Sequence, residues 1–135
     1  MTNQQMIALD TNVLVRVFVN DPDSPEQNTL ARNLINQYEF VYISQVVQAE
    51  FVWVLKRRLK FERSDIVKVL QIIANHQAFV LENKERFLNA LELYKNNSAD
   101  FADYLIVNYA QTNDCQFFTF DKNLLKTKNI SIFSP

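Results

Sequence analysis

At 135 residues and 48% apolar composition, the chain can bury a core as one domain without disulfide or metal staples. One cysteine, one histidine and no glycine exclude an intrachain disulfide, a single-chain Cys/His zinc site, a Walker A loop and a dinucleotide-binding glycine fingerprint. The formal net charge of −1 gives no bulk signal for nucleic acid, so any such signal has to be local. No apolar run approaches the ~20 residues of a membrane span. Residues 1–5 lack the basic and apolar regions of a signal peptide, and a lone cysteine suits a reducing compartment. The expectation is a cytoplasmic protein without a membrane role.

In chain order, residues 6–9 read as a short buried strand that delivers Asp10. Residues 11–19 follow with Val13, Leu14, Val17 and Phe18 at helical spacing. Asn20–Pro25 is a turn, with Ser24 as N-cap and Pro25 at N1 of a helix through Gln37 that turns Leu30, Leu34 and Ile35 inward. Phe40–Ile43 is a second strand. Ser44 caps a long helix from Gln45 to Lys60 with the stripe Val47, Phe51, Val54, Leu55. Arg63-Ser64-Asp65 opens another helix, with Ile66, Val69, Leu70 and Ile73 inward. Ala78–Leu81 is a third strand, and Asn83 caps a helix through Phe87, Leu88, Leu91 and Tyr94 that ends at Asn96–Ser98. Residues 99–113 form the next helix. Gln116–Phe120 is a fourth strand that ends on Asp121, and a short helical segment precedes a last strand, Ile130–Phe133. Strands alternating with helices predict an α/β fold with a parallel sheet and helices on both faces, in a single domain over residues 1–135.

The acids carry the chemistry this composition allows. Asp10 and Asp121 each end a predicted strand, at the carboxyl edge where open α/β sheets bind ligands. Glu50 lies among Val47, Phe51 and Val54, and Asp103 shares a face with Ile106, Val107 and Ala110, one turn after Asp100. Each has an ordinary structural explanation. Asp10 and Asp121 suit helix caps, Glu50 a surface pair with Lys56 or Arg57, and Asp100 and Asp103 the N-cap and N3 positions favoured by the helix dipole. The conjunction is harder to explain that way. Four carboxylates within ~5 Å of one another, at an effective dielectric of ~20, repel by about 3 kcal/mol per pair. Over six pairs that matches the whole stability of a domain. Such a cluster takes up protons or binds cations, and oxygen-only donors select Mg²⁺ or Mn²⁺. The residues point to a metal-dependent site that activates water and neutralises charge on a phosphodiester.

The ordered stretches Ile7-Ala8-Leu9-Asp10-Thr11-Asn12-Val13-Leu14, Ala49-Glu50-Phe51-Val52-Trp53-Val54-Leu55, Ala99-Asp100-Phe101-Ala102-Asp103-Tyr104-Leu105-Ile106 and Phe118-Thr119-Phe120-Asp121-Lys122 resemble the PIN-domain ribonucleases. More closely, they resemble the VapC toxins of type II toxin–antitoxin pairs. The resemblance implies a three-layer α/β/α fold with a mostly parallel five-stranded sheet, and Mg²⁺- or Mn²⁺-dependent cleavage of RNA. It also implies a homodimer held inactive by a cognate antitoxin. By position, Asp10, Glu50, Asp103 and Asp121 take the catalytic, metal-binding roles. Asp100 matches a further acid of one branch, so Asp100 and Asp103 both stand as metal ligands. Thr11, Asn12 and Thr119 match polar positions beside the acids. The chain departs from the pattern at Val107 and Asn108, where small alanines are usual, and after Asp121, where lysine and asparagine replace a second acid.

RNA has to be drawn to an acidic groove by nearby cations. The basic cluster is Lys56-Arg57-Arg58-Leu59-Lys60 with Arg63, and α-helical spacing puts Arg57 two turns beyond Glu50 on the same side. Arg16, Arg57, Arg58 and Lys122 are the RNA-binding candidates, with Lys126 a further one. A solvated helix C-terminus explains the cluster equally well. Trp53, Phe51, Tyr42 and Tyr104 are candidates for base stacking or, as aromatics more often are, for core and interface packing. His76 reads as exposed, without chemistry, and Cys115 as a small core residue. The rival readings are a receiver-like signalling module, a non-catalytic domain whose acidic pocket holds a partner, and a structure-specific DNA nuclease. The receiver reading lacks a second acid beside Asp10, and cleavage assays separate the other two.

Overall fold

The computed structural model describes residues 3–135. Met1 and Thr2, part of the stretch read for targeting signals, lie outside the described residues. The chain divides into two compact units, Met1–Glu82 and Asn83–Pro135.

The first unit runs β1 (Asn3–Ala8), α1 (Thr11–Phe18), α2 (Pro25–Gln37), β2 (Tyr38–Ile43), α3 (Gln45–Trp53), a π-helical turn (Val54–Arg58), α4 (Arg63–Asn75) and β3 (Phe79–Leu81). Its strands form a parallel sheet in the order β1-β2-β3, with Ile7 opposite Val41 and Val41 opposite Phe79. Parallel neighbours require crossovers, which the intervening helices supply. Because the strands run the same way, their carboxyl ends share one edge, and the chain leaves that edge at Asp10, Ser44 and Glu82. The expected stripe of α3 is buried throughout: Val47, Phe51, Val54 and Leu55 all lie in the core with Ile66, Leu70 and Ile73 of α4. Each such side chain contributes about 1.5–3 kcal/mol of hydrophobic stabilisation. Val69 is only half-buried.

Expectations for this unit fail at four places, the first being the strand over residues 6–9 read as buried, where Met6 is 48% exposed and Ala8 is exposed as well. Leu30 of α2 faces solvent, 65% exposed, while Asn28 and Ala31 turn inward. The Asn28 side chain donates to the Asp21 carbonyl (2.9 Å) and accepts from the Asp21 N–H (3.2 Å). That two-way tie fixes the Asn28 face against the preceding turn, and Leu30 lies about 200° around the helix from it. Ser24 holds the N-cap position of α2 without a side-chain cap bond. The long helix from Gln45 is not uniformly α-helical. Leu59 N–H bonds the Val54 carbonyl at 3.0 Å, a π-type i→i+5 closure, and the chain then leaves through Lys60 in the left-handed region (φ 58°).

The second unit runs α5 (Lys84–Asn96), α6 (Phe101–Thr112), β4 (Phe117–Phe118), α7 (Lys122–Leu125) and β5 (Ile132–Phe133), with β4 and β5 parallel. Asn83 caps α5 as expected, its Oδ1 accepting from Arg86 N–H at 3.0 Å. The core is aromatic. Phe101 is fully buried and meets Phe87 and Tyr94 edge-on, with centroids 5.5 and 5.9 Å away. Leu88, on the predicted helix, and Ile106, on the apolar face shared with Asp103, are 44% and 54% exposed. Asp103 therefore has an exposed apolar neighbour one turn on rather than an enclosed one. Cys115 is exposed instead of buried, because the chain is still turning off α6 there: Cys115 N–H bonds the Ala110 carbonyl at 2.8 Å and Asp114 is left-handed (φ 54°).

The five predicted strands are all present and all their pairings are parallel, so the α/β class holds. The ladders join them as three and two rather than as one sheet of five. The last two are shorter than predicted, with only Phe117–Ile132 and Phe118–Phe133 in register. Thr119 ends β4 by accepting the Asp121 N–H on its own hydroxyl (2.9 Å). No helix among the described residues is long and apolar enough to cross a membrane.

Candidate active site

In the first unit the site is built where β1 meets α1. Leu9 is buried and extends the ladder through its N–H to the Tyr42 carbonyl (3.4 Å). Asp10 is the next residue, extended and exposed, with Oδ1 accepting the Val13 N–H at 3.0 Å. The ordinary explanation for Asp10 is thus correct for one oxygen. Among the described residues Oδ2 has no partner. Thr11 opens α1 and donates its hydroxyl to Glu50 Oε1 at 3.1 Å. This bond ties the end of β1 to the middle of α3, 39 residues away in sequence. Glu50 is exposed.

The orientation of Glu50 depends on how α3 sits on the sheet edge. Ser44 Oγ accepts from Val47 N–H (3.2 Å), and Glu82, at the end of β3, accepts the Gln45 N–H on Oε1 (2.8 Å). Gln48, 2% exposed, donates to the Ile43 and Glu82 carbonyls at 3.2 and 3.0 Å. Glu82 also acts on Tyr42. Desolvation, then the negative charge of Glu82 and a hydrogen bond to it, hold the Tyr42 hydroxyl above its usual pKa. Glu82 was missed in the sequence, although Ala78–Leu81 followed by Glu82 repeats the strand-then-acid signal seen at Asp10. Its carboxylate serves as a helix cap.

Asn12 is exposed and lines three adjoining grooves. One is shared with Thr11, Glu50, Trp53, Val54 and Arg58, a second with Asp10, Arg16, Leu30 and Leu34, and a third with Arg16, Asp21 and Arg58. Arg16 spans the third. It donates to the Asn12 carbonyl (3.4 Å) and lies 3.6 Å from the Asp21 carboxylate. Part of its charge is therefore met locally. Arg58, not Arg57, lines the groove with Glu50.

In the second unit Asp100 takes the N-cap position of α6 and Asp103 its first turn, half-buried. Asp121 caps α7, with Oδ1 accepting from Asn123 and Leu124 N–H at 2.7 and 3.2 Å. The segments that carry Asp100 and Asp121 are laced together. Ser98 donates to Asn123 Oδ1 (3.1 Å), Lys128 N–H to Asn97 Oδ1 (3.4 Å), and the buried Tyr104 hydroxyl meets both Ala99 N–H and Thr127 Oγ1 at 3.1 Å. Lys122 is exposed beside Asp121. Asn108, where a small residue is usual, is buried and accepts from Arg86 Nε at 3.2 Å, so the departure has a structural partner on α5. Within neither unit do three His, Cys, Asp or Glu side chains gather as a ligand cluster among the described residues.

The donors fit a hard divalent cation. Asp10 and Glu50 are exposed, and each commits one carboxylate oxygen to a hydrogen bond. Neither histidine nor thiolate stands in these grooves, and hard oxygen donors select Mg²⁺ or Mn²⁺.

The PIN-domain family model matches residues 7–130, through both units, and the chain belongs to that family. Within it, the chain is similar to the VapC ribonuclease of Aquifex aeolicus (strain VF5). The two are 30% identical over 101 residues, which is 74% of this chain and 75% of that one.

Proposed function

We propose that this chain is a divalent-metal-dependent endoribonuclease, acting as the toxin of a type II toxin–antitoxin pair from one nuclease domain over residues 1–135. The observation that carries this reading is the bond from Thr11 to Glu50 beside Asp10, in a chain of the PIN-domain family similar to a VapC ribonuclease. Asp10, Glu50, Asp103 and Asp121 are the catalytic acids, with Asp100 a further ligand. These acids would hold Mg²⁺ or Mn²⁺, which would supply Lewis-acid polarisation of a phosphoryl oxygen and activation of water.

The chain's own residues do the rest. Asp10 and Glu50 offer their uncommitted oxygens as ligands, and their negative charge sets the affinity. Thr11 fixes the rotamer of Glu50 by holding Oε1, and Asn12 presents an amide to the groove beside it. Thr119 stabilises the turn that delivers Asp121. Arg16, Arg58 and Lys122 offset the repulsion between the acids and an RNA backbone. A homodimer in the cytoplasm and a cognate antitoxin as inhibitor complete the proposal.

The test is incubation of the purified chain with total RNA and, separately, flap DNA, in Mg²⁺ or Mn²⁺. RNA cleavage that stops with EDTA and with Asp10→Asn supports the reading. Cleavage of the flap DNA alone assigns the site to a DNA nuclease, and binding of a partner without turnover assigns it to a non-catalytic domain.

A further inference from the structure

Two features of the groove beside Glu50 are not used by the chemistry above. Trp53 is 56% exposed on the last turn of α3 and lines that groove with Thr11, Asn12, Glu50, Val54 and Arg58. It is the chain's single tryptophan. The other feature is the π turn directly after it. In a continuous α-helix the residue two turns beyond Glu50 on the same side is Arg57. A π turn takes one more residue to close, as the Leu59–Val54 bond shows, and moves that register to Arg58. The groove lining agrees, since it includes Arg58 and omits Arg57. Among the described residues the Arg58 guanidinium has no hydrogen bond or ion pair, whereas Arg57 is already engaged. One groove therefore presents an acid at one end, an exposed indole face in the middle and an uncommitted guanidinium at the other, roughly 12 Å from Glu50 along the helix.

We propose that Trp53 and Arg58 form a nucleotide subsite next to the catalytic acids, in which Trp53 stacks on a base of single-stranded RNA and Arg58 holds an adjoining phosphate. The subsite rests on the ribonuclease reading. Charge complementarity favours a nucleotide: an anion is repelled at Glu50 and attracted at Arg58, so a strand lies along the groove with its phosphate at the basic end. Stacking on an indole accepts every base, so Trp53 positions the strand without reading its sequence. The π turn sets the register of the subsite, because it selects which of two adjacent arginines enters the groove.

The single tryptophan makes the test local. The EDTA-treated protein is titrated with a fluorescein-labelled six-nucleotide oligouridylate, following both tryptophan emission and the label's anisotropy. Binding is expected to quench Trp53 saturably. Trp53→Ala is expected to weaken binding about ten-fold, and Trp53→Phe, which retains an aromatic face, about three-fold or less. Arg58→Ala is expected to weaken it about ten-fold and to lower the slope of log K against log salt by about one. Arg57→Ala removes the same charge, and its effect is expected to stay within about two-fold, since a wrong-side arginine acts only through a screened field. Absence of oligouridylate binding, unquenched emission on binding, wild-type affinity in Trp53→Ala, or equal losses for Arg57→Ala and Arg58→Ala each overturn the subsite. The two readings fail separately. RNA cleavage with Mg²⁺ alongside wild-type binding by Trp53→Ala and Arg58→Ala removes the subsite and keeps the nuclease. Quenching that depends on Arg58, in a protein that cuts no RNA, does the reverse.

Discussion

At the scale of single residues, the site depends on small side chains that hold larger ones. Thr11, the first residue of α1, donates its hydroxyl to Glu50 Oε1 and so ties the end of β1 to α3. Thr11→Val keeps the shape and removes the hydroxyl. Outer-shell losses of this kind typically reduce metal affinity or activity 10–100-fold. We therefore expect cleavage to fall by about that factor at fixed Mg²⁺, with partial recovery at higher Mg²⁺, and no change in melting temperature beyond a few degrees. Tyr42 gives a pH test of the same sheet edge. Its folded-state pKa is raised by desolvation and by Glu82. A group raised on folding contributes stability fully below its unfolded pKa, about 10 for tyrosine, and loses it as pH rises through the folded value. The melting temperature of the wild type is expected to fall more steeply above pH ~10 than that of Tyr42→Phe. Parallel slopes would remove Glu82 and Tyr42 from the coupling.

At the scale of elements, much of the fold was legible because periodicity reports burial well where helices are regular. The stripe Val47, Phe51, Val54, Leu55 is buried as its spacing requires, and Asn83 caps α5 as its side chain allows. The failures share a cause: a local tie that pattern does not encode. Asn28 turns α2 so that Leu30 faces out, and the π turn moves the basic register from Arg57 to Arg58. Cys115 looked like core from its place before a strand, but a left-handed Asp114 keeps it outside. In the second unit, α5 and α6 are joined by Phe101 between Phe87 and Tyr94, and by Arg86 on Asn108, Thr112 and the Tyr109 ring. Phe101→Ala should cost about 3–5 kcal/mol in urea unfolding. Arg86→Ala strands a buried Asn108 oxygen and should cost about 1–3 kcal/mol. A loss under 1 kcal/mol for Phe101→Ala would mean that the helix pair is held elsewhere.

At the scale of the whole molecule, the net charge of −1 conceals a local division of labour. Carboxylates stand at strand ends and helix starts in both units, and the basic residues Arg16, Arg58 and Lys122 stand beside them in sequence or in groove. The acids were legible because exclusion narrowed the chemistry: a chain without glycine, with one histidine and one cysteine, has no phosphate-binding glycine loop and no Cys/His ligand set, which leaves carboxylates as the main tools. Their caps were legible too, since Asp10 and Asp121 each hold a helix start with one oxygen. What composition could not show was the Thr11–Glu50 bond, because it joins residues 39 apart. The family match over residues 7–130 takes in all the proposed acids. The most direct measurement is cleavage of total RNA by the purified protein with Mg²⁺ or Mn²⁺, beside Asp10→Asn. Loss of several kcal/mol of transition-state stabilisation, at 1.36 kcal/mol per factor of ten, predicts a fall of about 1000-fold in Asp10→Asn with its fold intact, and complete arrest by EDTA. Equal cleavage by wild type and Asp10→Asn, or undiminished cleavage in EDTA, would contradict a divalent-metal ribonuclease centred on Asp10.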